Sequence, residues 1–251
     1  MSHYNEGDAA QARRLFFMSS PTVSLVIPAF NEAERISSSL EKALDYMRSQ
    51  EYTWEILVID DGSSDDTVRI VKHYEPDVRV MALGVNKGKG AAVRQGMLAA
   101  TGMYRVFSDA DFSTPITELP KILRELERGA DICIGSRRID PSSLKKHQPW
   151  YREAIGLIGN KIISAVLFSG IEDTQCGFKG VTARATEQVF SLMHIDGFGF
   201  DVEMLFLAKK KGLRIVQVAV DWYNDERSRL NPVRDSLKTL IEVFKIRSLH
   251  R

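Results

Sequence analysis

Cysteine is almost missing from this chain: of 251 residues only Cys133 and Cys176 carry a thiol. That excludes a disulfide framework and a cysteine-rich zinc site, and it suits a reducing compartment. The five histidines are scattered without ligand spacing. Neither sign of charge dominates. With 34 Lys and Arg against 33 Asp and Glu, the net charge is +1, so no global field recruits nucleic acid, and any recognition of phosphate has to be local. No apolar run reaches the length of a membrane span. The first twenty residues include Glu6, Asp8, Arg13 and Arg14 and hold no stretch suited to a secretory signal. The expectation is a cytoplasmic chain, soluble or peripheral on the cytoplasmic face of a membrane. Repeats and low-complexity tracts are absent too. What is present, 44% hydrophobic residues, is enough for a substantial core.

Those apolar residues fall into two alternating patterns. Val23-Ser24-Leu25-Val26-Ile27 is β-rich and stops at Pro28, and Ile36, Leu40, Leu44 and Met47 follow at helical spacing. The unit recurs: Ile56–Ile59 precedes Asp60-Asp61-Gly62-Ser63-Ser64, and Val68, Ile70 and Val71 predict a helix closed off by Pro76. A strand over 78–83, a helix over 88–100 and a strand over 104–108 come next. Pro115 and Pro120 bracket the start of a helix ending near Gly129, and Ile132-Cys133-Ile134 reads as another strand. Continuous apolar strands alternating with amphipathic helices imply an α/β domain with a mostly parallel sheet covered on both faces. The expected layout is a flexible lead-in over 1–21, one domain over 22–230 and a C-terminal amphipathic helix over 231–251.

In such sheets ligands bind beyond the carboxyl ends of the strands. Pro28–Glu32, Asp60–Ser64 and Asp109–Asp111 all lie there, so one crevice receives Asn31, Glu32, Asp60, Asp61, Asp109 and Asp111. In Ser108-Asp109-Ala110-Asp111, two carboxylates one residue apart at a strand end can converge on one hard divalent cation and leave its other positions for phosphate. Helix capping explains Asp65 or Glu32 but leaves the adjacent acid pairs unexplained.

Other segments admit two readings each. Asn86-Lys87-Gly88-Lys89-Gly90 either offers amides and the Lys89 cation to an anion at a helix start or is a plain turn; it is neither a Walker loop nor a dinucleotide fingerprint. Arg137 and Arg138 at a strand end suit bidentate phosphate binding, while Lys145 and Lys146 read as solvated charge. Residues 152–168 form an apolar helix candidate. Asp173–Lys179 is polar and turn-rich, and Cys176 within it reads as a packed small residue rather than a nucleophile. Asp201, after Gly197-Phe198-Gly199-Phe200, heads a helix and reads first as its N-cap. Val233, Leu237, Leu240, Ile241 and Phe244 mark an apolar helix face flanked by Arg234, Lys238 and Lys245. That helix either packs on its own domain or lies on an anionic membrane surface.

Together these motifs resemble the family 2 glycosyltransferases of GT-A fold, specifically the dolichyl- or polyprenyl-phosphate glucosyltransferase branch, over about residues 22–248. The resemblance rests on Val26–Glu32, Val58–Ser63, Asn86–Gly90, Asp109-Ala110-Asp111, Gly135-Ser136-Arg137, Asp173–Lys179 and Phe200–Glu203, with Thr174–Lys179 the most specific. It implies a single Rossmann-like domain and inverting transfer of a hexose, glucose from UDP-glucose, to dolichyl or polyprenyl phosphate with Mg2+ or Mn2+. It further implies that Pro28, Asn31, Glu32 and Asp60, joined in the crevice by Asp61 and Lys89, hold the nucleotide. Asp109 would bind the diphosphate and sugar, and Asp111, with Asp109, the metal. Arg137, Arg152 and Arg229 match basic positions that meet donor or acceptor phosphate, and Asp201 an orienting group or base. A lipid phosphate is already anionic at pH 7 and needs positioning and charge screening more than a base. Two other readings stand beside this one: a sugar transferase with a soluble or protein acceptor, and a noncatalytic nucleotide-sugar-binding protein. The chain carries no Gln-x-x-Arg-Trp segment of the kind found in processive polysaccharide synthases.

Overall fold

The computed structural model describes residues 20–140, 142, 144–146, 159–163, 166–224 and 232–251. Most of the 1–21 lead-in and of the 152–168 helix candidate, together with Arg152 and Arg229, lie outside them. Strand β1 (Val23–Ala29) is buried along its whole length. It pairs in parallel with β2 (Trp54–Asp60) on one side and β4 (Tyr104–Ser108) on the other, while β3 (Val78–Ala82) extends the sheet beyond β2. Strands β5 (Ile132–Ser136), β7 (Phe178–Thr182) and β8 (Ile215–Ala219) complete seven strands in the order β3-β2-β1-β4-β7-β5-β8. Six of these run in one direction and β7 runs against both its neighbours. A separate ribbon joins β6 (Leu144–Lys146) to β9 (Trp222–Tyr223).

Strand alternation sends successive side chains into two cores. Val23, Leu25, Ile27, Ile56 and Val58 pack on one face against Ile36, Leu40, Ala43, Leu44 and Met47 of α1 (Ile36–Arg48). That stripe repeats every three or four residues, the spacing of one helical face. The same core takes Leu119, Ile122, Leu123 and Leu126 from α4 (Leu119–Glu127), which follows a 3₁₀ turn at Ile116–Glu118. On the opposite face Val26, Leu57, Ile59, Phe107, Ile132 and Ile134 meet α3 (Lys89–Ala99), α5 (Ala183–Phe190) and α6 (Phe200–Lys210). Short α2 (Thr67–Lys72) lies between β2 and β3. The expected α/β architecture with a mostly parallel, doubly covered sheet is what the chain adopts.

The last helix, α7 (Pro232–Leu249), corrects one expectation. Among its described side chains Thr239, Val243 and Ile246 are buried, the latter two packed with Ile163, Ile195 and Val202. Leu237, Ile241 and Phe244, read from the sequence as members of a single apolar face, are exposed. The helix has two apolar stripes, and periodicity alone does not tell which of them meets the domain.

Candidate active site

Beyond the carboxyl ends of β1, β2 and β4 the chain encloses a cleft of about 400 Å³. Of the residues expected there, Pro28, Glu32, Asp61, Lys89, Asp109 and Asp111 line it, joined by Arg35 and Phe198. Asn31 and Asp60 do not; they build the walls. Asn31 adopts a left-handed backbone (φ 54°), its amide donates to Ser63 Oγ and its side-chain oxygen accepts from Ser64 N, both at 2.8 Å. Asp60 accepts from Gly62 N and Ser63 N, and Asp61 from Lys87 N and Gly88 N at 2.8 Å. Asn31 and Asp61 thus stitch the loops after β1, β2 and β3 to one another, while Asp60 holds its own turn. The glycine at 88 is required by its backbone, at φ 118°, and by space, since a Cβ there would stand 2.4 Å from the Asp196 carbonyl oxygen.

Arg35 was not picked out from the sequence. It sits one helical turn after Glu32, holds that carboxylate with two hydrogen bonds, and brings a guanidinium nitrogen to 3.7 Å from Asp111 Oδ2. An acid followed three residues later by arginine was the available signal. Asp111 accepts from Ser113 N at 2.9 Å. Burial, then the neighbouring charge of Asp109, raises its pKa, against the pull of Ser113 and Arg35. Lys89 Nζ lies 2.5 Å from Asp109 Oδ1. Burial opposes the Lys89 charge, but Asp109, Asp201 and Asp111 outweigh it and hold the ammonium above its ordinary pKa.

Beneath this pair stands a second one. Lys179 is fully buried and donates to the Cys176 carbonyl and to Asp201, with its ammonium 5.4 Å from the Phe107 ring centre. The capping role expected of Asp201 is therefore corrected. Gly199 precedes the first turn of α6, no side chain caps it, and the Asp201 carboxylate turns inward to Lys179. Burial raises the Asp201 pKa, opposed by Lys179 and Lys89. Charges thus alternate through Lys179, Asp201, Lys89 and Asp109.

Reversed β7 delivers the Asp173–Lys179 segment to this edge. Asp109 N donates to the Gly177 carbonyl at 3.2 Å, and a Cβ at Gly177 would stand 2.1 Å from Asp109 Oδ2. Gly177→Ala is accordingly expected to displace the Asp109 carboxylate and lower turnover about a hundredfold, while the melting temperature falls by only a few degrees; steady-state kinetics beside a thermal melt would check it. The Cys176 thiol is buried and pushed up to about 11, first by burial and then by Asp173, so it is no nucleophile at neutral pH.

Arg137 stands at the end of β5, but Asp173 occupies its guanidinium through two bonds of 2.7 Å, and Trp222 lies under it at 5.5 Å. Burial would raise the Asp173 carboxyl, yet the charge and hydrogen bonds of Arg137 hold it at about 2. This pair is present in full above the ordinary carboxyl value of 3.8 and is lost as pH falls from there through about 2. The expected cost over that window is about 2 kcal/mol of stability, visible in urea melts across acid pH and missing from Asp173→Asn.

The acid pair also fits a divalent cation. Among the described residues no three His, Cys, Asp or Glu side chains form a complete cage, but Mg2+ and Mn2+ need few protein oxygens when substrate phosphates fill the remaining positions. The repulsion between Asp109 and Asp111 is what such a cation would relieve.

Residues 24–190 match the family model described as glycosyl transferase family 2. The chain belongs to that family. This family 2 glycosyltransferase is 32% identical over 240 residues to a dolichyl-phosphate beta-glucosyltransferase of Dictyostelium discoideum, covering 90% of this chain and 73% of that one. It is 33% identical to the Drosophila melanogaster enzyme of the same name, over 89% and 74% of the two chains. Among solved structures it superposes on glucosyl-3-phosphoglycerate synthase from Mycobacterium tuberculosis, in complex with Mn2+, uridine diphosphate and glucosyl-3-phosphoglycerate. The TM-score is 0.65 at 20% identity, over 97% of this chain and 85% of that one. The GT-A fold expected of a family 2 glycosyltransferase is thereby borne out.

Proposed function

We propose that this glycosyltransferase moves glucose, with inversion, from UDP-glucose to dolichyl or another polyprenyl phosphate. The observation that carries the reading is the junction of the acid pair with the Thr174–Lys179 segment: Asp109 rests on Gly177 in a cleft that Lys89, Arg35 and Asp111 share. The sugar and the acceptor class are drawn from the relatives that bear this activity in their names.

In this mechanism Asp111, with Asp109, would hold Mg2+ or Mn2+, which would supply positive charge to the departing diphosphate. Arg35 orients Asp111 through its 3.7 Å contact and keeps Glu32 facing the cleft. Lys89 adds a fixed cation beside Asp109, held charged by the acids around it. A phosphate oxygen of the acceptor attacks the anomeric carbon from the face opposite UDP; the new C–O bond forms as the bond to UDP breaks, which inverts the centre. The acceptor arrives anionic, so no base is needed. Asp201, bonded to buried Lys179 beneath Lys89, is a positioning residue. Arg152 and Arg229 complete the proposal as partners of the acceptor phosphate, with Arg137 as the latch that ties β5 to Asp173. Asn31, Asp60 and Asp61 shape the nucleotide pocket through their loops, with Pro28 as its floor. The work is placed at the cytoplasmic face of a membrane; among the described residues no helix is long and apolar enough to cross one.

The test is a donor screen with a short-chain polyprenyl phosphate and Mg2+ or Mn2+. UDP-glucose is expected to give a β-linked glucosyl lipid, with GDP-mannose and UDP-N-acetylglucosamine far slower. Donor binding with no product from any donor would favour the noncatalytic reading, and product on a soluble acceptor alone would favour the second transferase reading.

A further inference from the structure

We propose that the outward face of α7 is the surface by which this chain docks on an anionic lipid bilayer. Leu237, Ile241 and Phe244 stand at i, i+4 and i+7 and therefore on one side of the helix. They are 59%, 51% and 61% exposed, although the opposite side of the same helix is packed through Val243 and Ile246. An isolated exposed leucine is ordinary, whereas three large apolar residues aligned on one helix need a partner.

Charge identifies that partner. Exposed Lys238 and Lys245 border the stripe on one side and exposed Arg247 on the other. The acid nearest the two lysines, Glu242, is turned inward, where it accepts from Gly199 N at 2.7 Å. An apolar stripe between cations matches acyl chains beneath anionic headgroups. A second copy of this chain would bring the same cations against each other.

The inner side of α7 connects the docking face to the site. Glu242 holds Gly199, the neighbouring Phe198 lines the cleft, and the Phe198 carbonyl accepts from the Gln175 side chain at 3.3 Å. A chain seated on α7 therefore presents its cleft from a wall fastened to the docked helix. This inference deepens the proposed function, since a polyprenyl phosphate is met at a bilayer.

The experiment is flotation of the full chain with vesicles that lack any acceptor, made of phosphatidylcholine with or without phosphatidylserine. The chain is expected to float with the anionic vesicles, less with the neutral ones, and less as salt is raised. The triple variant Leu237→Ser, Ile241→Ser, Phe244→Ser is expected to lose about tenfold or more of vesicle binding. It should keep the wild-type melting temperature and its turnover of a water-soluble short-chain acceptor. Lys238→Glu with Lys245→Glu is expected to remove the preference for anionic vesicles, and it keeps the question open to experiment should the triple variant fold poorly. A wild-type chain that stays unbound with anionic vesicles would overturn the docking proposal, and so would variants that float as well as wild type. A dimer in light scattering that the triple variant abolishes would assign the face to a second copy and overturn it equally. Flotation without turnover of the short-chain acceptor would leave docking standing and remove the proposed function instead.

Discussion

Asp111→Asn is expected to lower glucosyl transfer by about a thousandfold or more without loss of stability. The two halves of that result have one cause. In the folded chain the Asp111 charge is opposed by burial and by Asp109, with Arg35 and the Ser113 amide compensating in part. A neutral amide of the same shape removes that conflict, so the melting temperature should hold or rise, as is common where a site stores unfavourable charge for its function. The same substitution takes the charge and one oxygen from the carboxylate proposed to hold Mg2+ or Mn2+, and calorimetric titration of Mn2+ in the presence of UDP should lose its heat. Near-normal, metal-dependent turnover by Asp111→Asn would show the metal assignment to be wrong. Asp109→Asn differs in kind, because it also strips Lys89 of its 2.5 Å partner, and a loss of donor affinity should accompany the loss of rate.

The second large effect is on stability. Lys179→Met leaves the buried Asp201 carboxyl without its partner, with Lys89 alone to oppose the burial that raises its pKa, and removing one member of a buried pair costs about 3–5 kcal/mol. Urea unfolding at neutral pH measures it directly. Replacing both members, Lys179→Met with Asp201→Leu, is expected to recover more than half of the loss, because no charge is then stranded. If Lys179→Met unfolded at the wild-type urea concentration, the pair would not be the enclosed one described. Activity separates the roles further: the double variant should fold and yet remain slow, since Lys89 loses the carboxylate beneath it.

Particular residues show what the sequence made legible. Val23–Ile27, Ile56–Ile59 and 104–108 are largely apolar runs, interrupted at Ser24 and Arg105 and each followed by a polar cluster, and strands buried on both faces have that pattern. Their ends place Pro28, Asp61, Asp109 and Asp111 at one cleft. The misreadings share a different cause, which is that the deciding partner is far away in the chain. Asp201 reads as a cap when judged by its neighbours, but Lys179, 22 residues earlier, claims it. Arg137 reads as a phosphate ligand at a strand end, and Asp173, 36 residues later, lies against two of its guanidinium nitrogens, a contact that local reading does not reach. Asp60 and Asp61 do serve as anchors for backbone amides, so for them hydrogen bonding to loop amides, which is not the helix capping weighed in the sequence, accounts for much of what their carboxylates do. Arg35 was within reach of local reasoning, one turn from Glu32.

The reversal of β7 also bears on how this chain can be re-engineered. Because β5 and β7 are antiparallel, with Ile134 opposite Lys179, the connection over residues 137–177 begins and ends at the same end of the two strands. Its ends are neighbours whatever its length, and doubling a flexible connection costs only about 0.6 kcal/mol in closure entropy. A cassette exchanged between Ser136 and Asp173 would have the Arg137 position, the β6–β9 pairing and the core contacts of Ile163 and Ile171 to match, and it would leave the pairing of β1 with β2 and β4 as it is. On the proposed function, which gives Arg152 of this connection to the acceptor phosphate, grafting it from one relative to another is expected to change the acceptor while the donor cleft lined by Pro28, Asp61 and Lys89 stays in place.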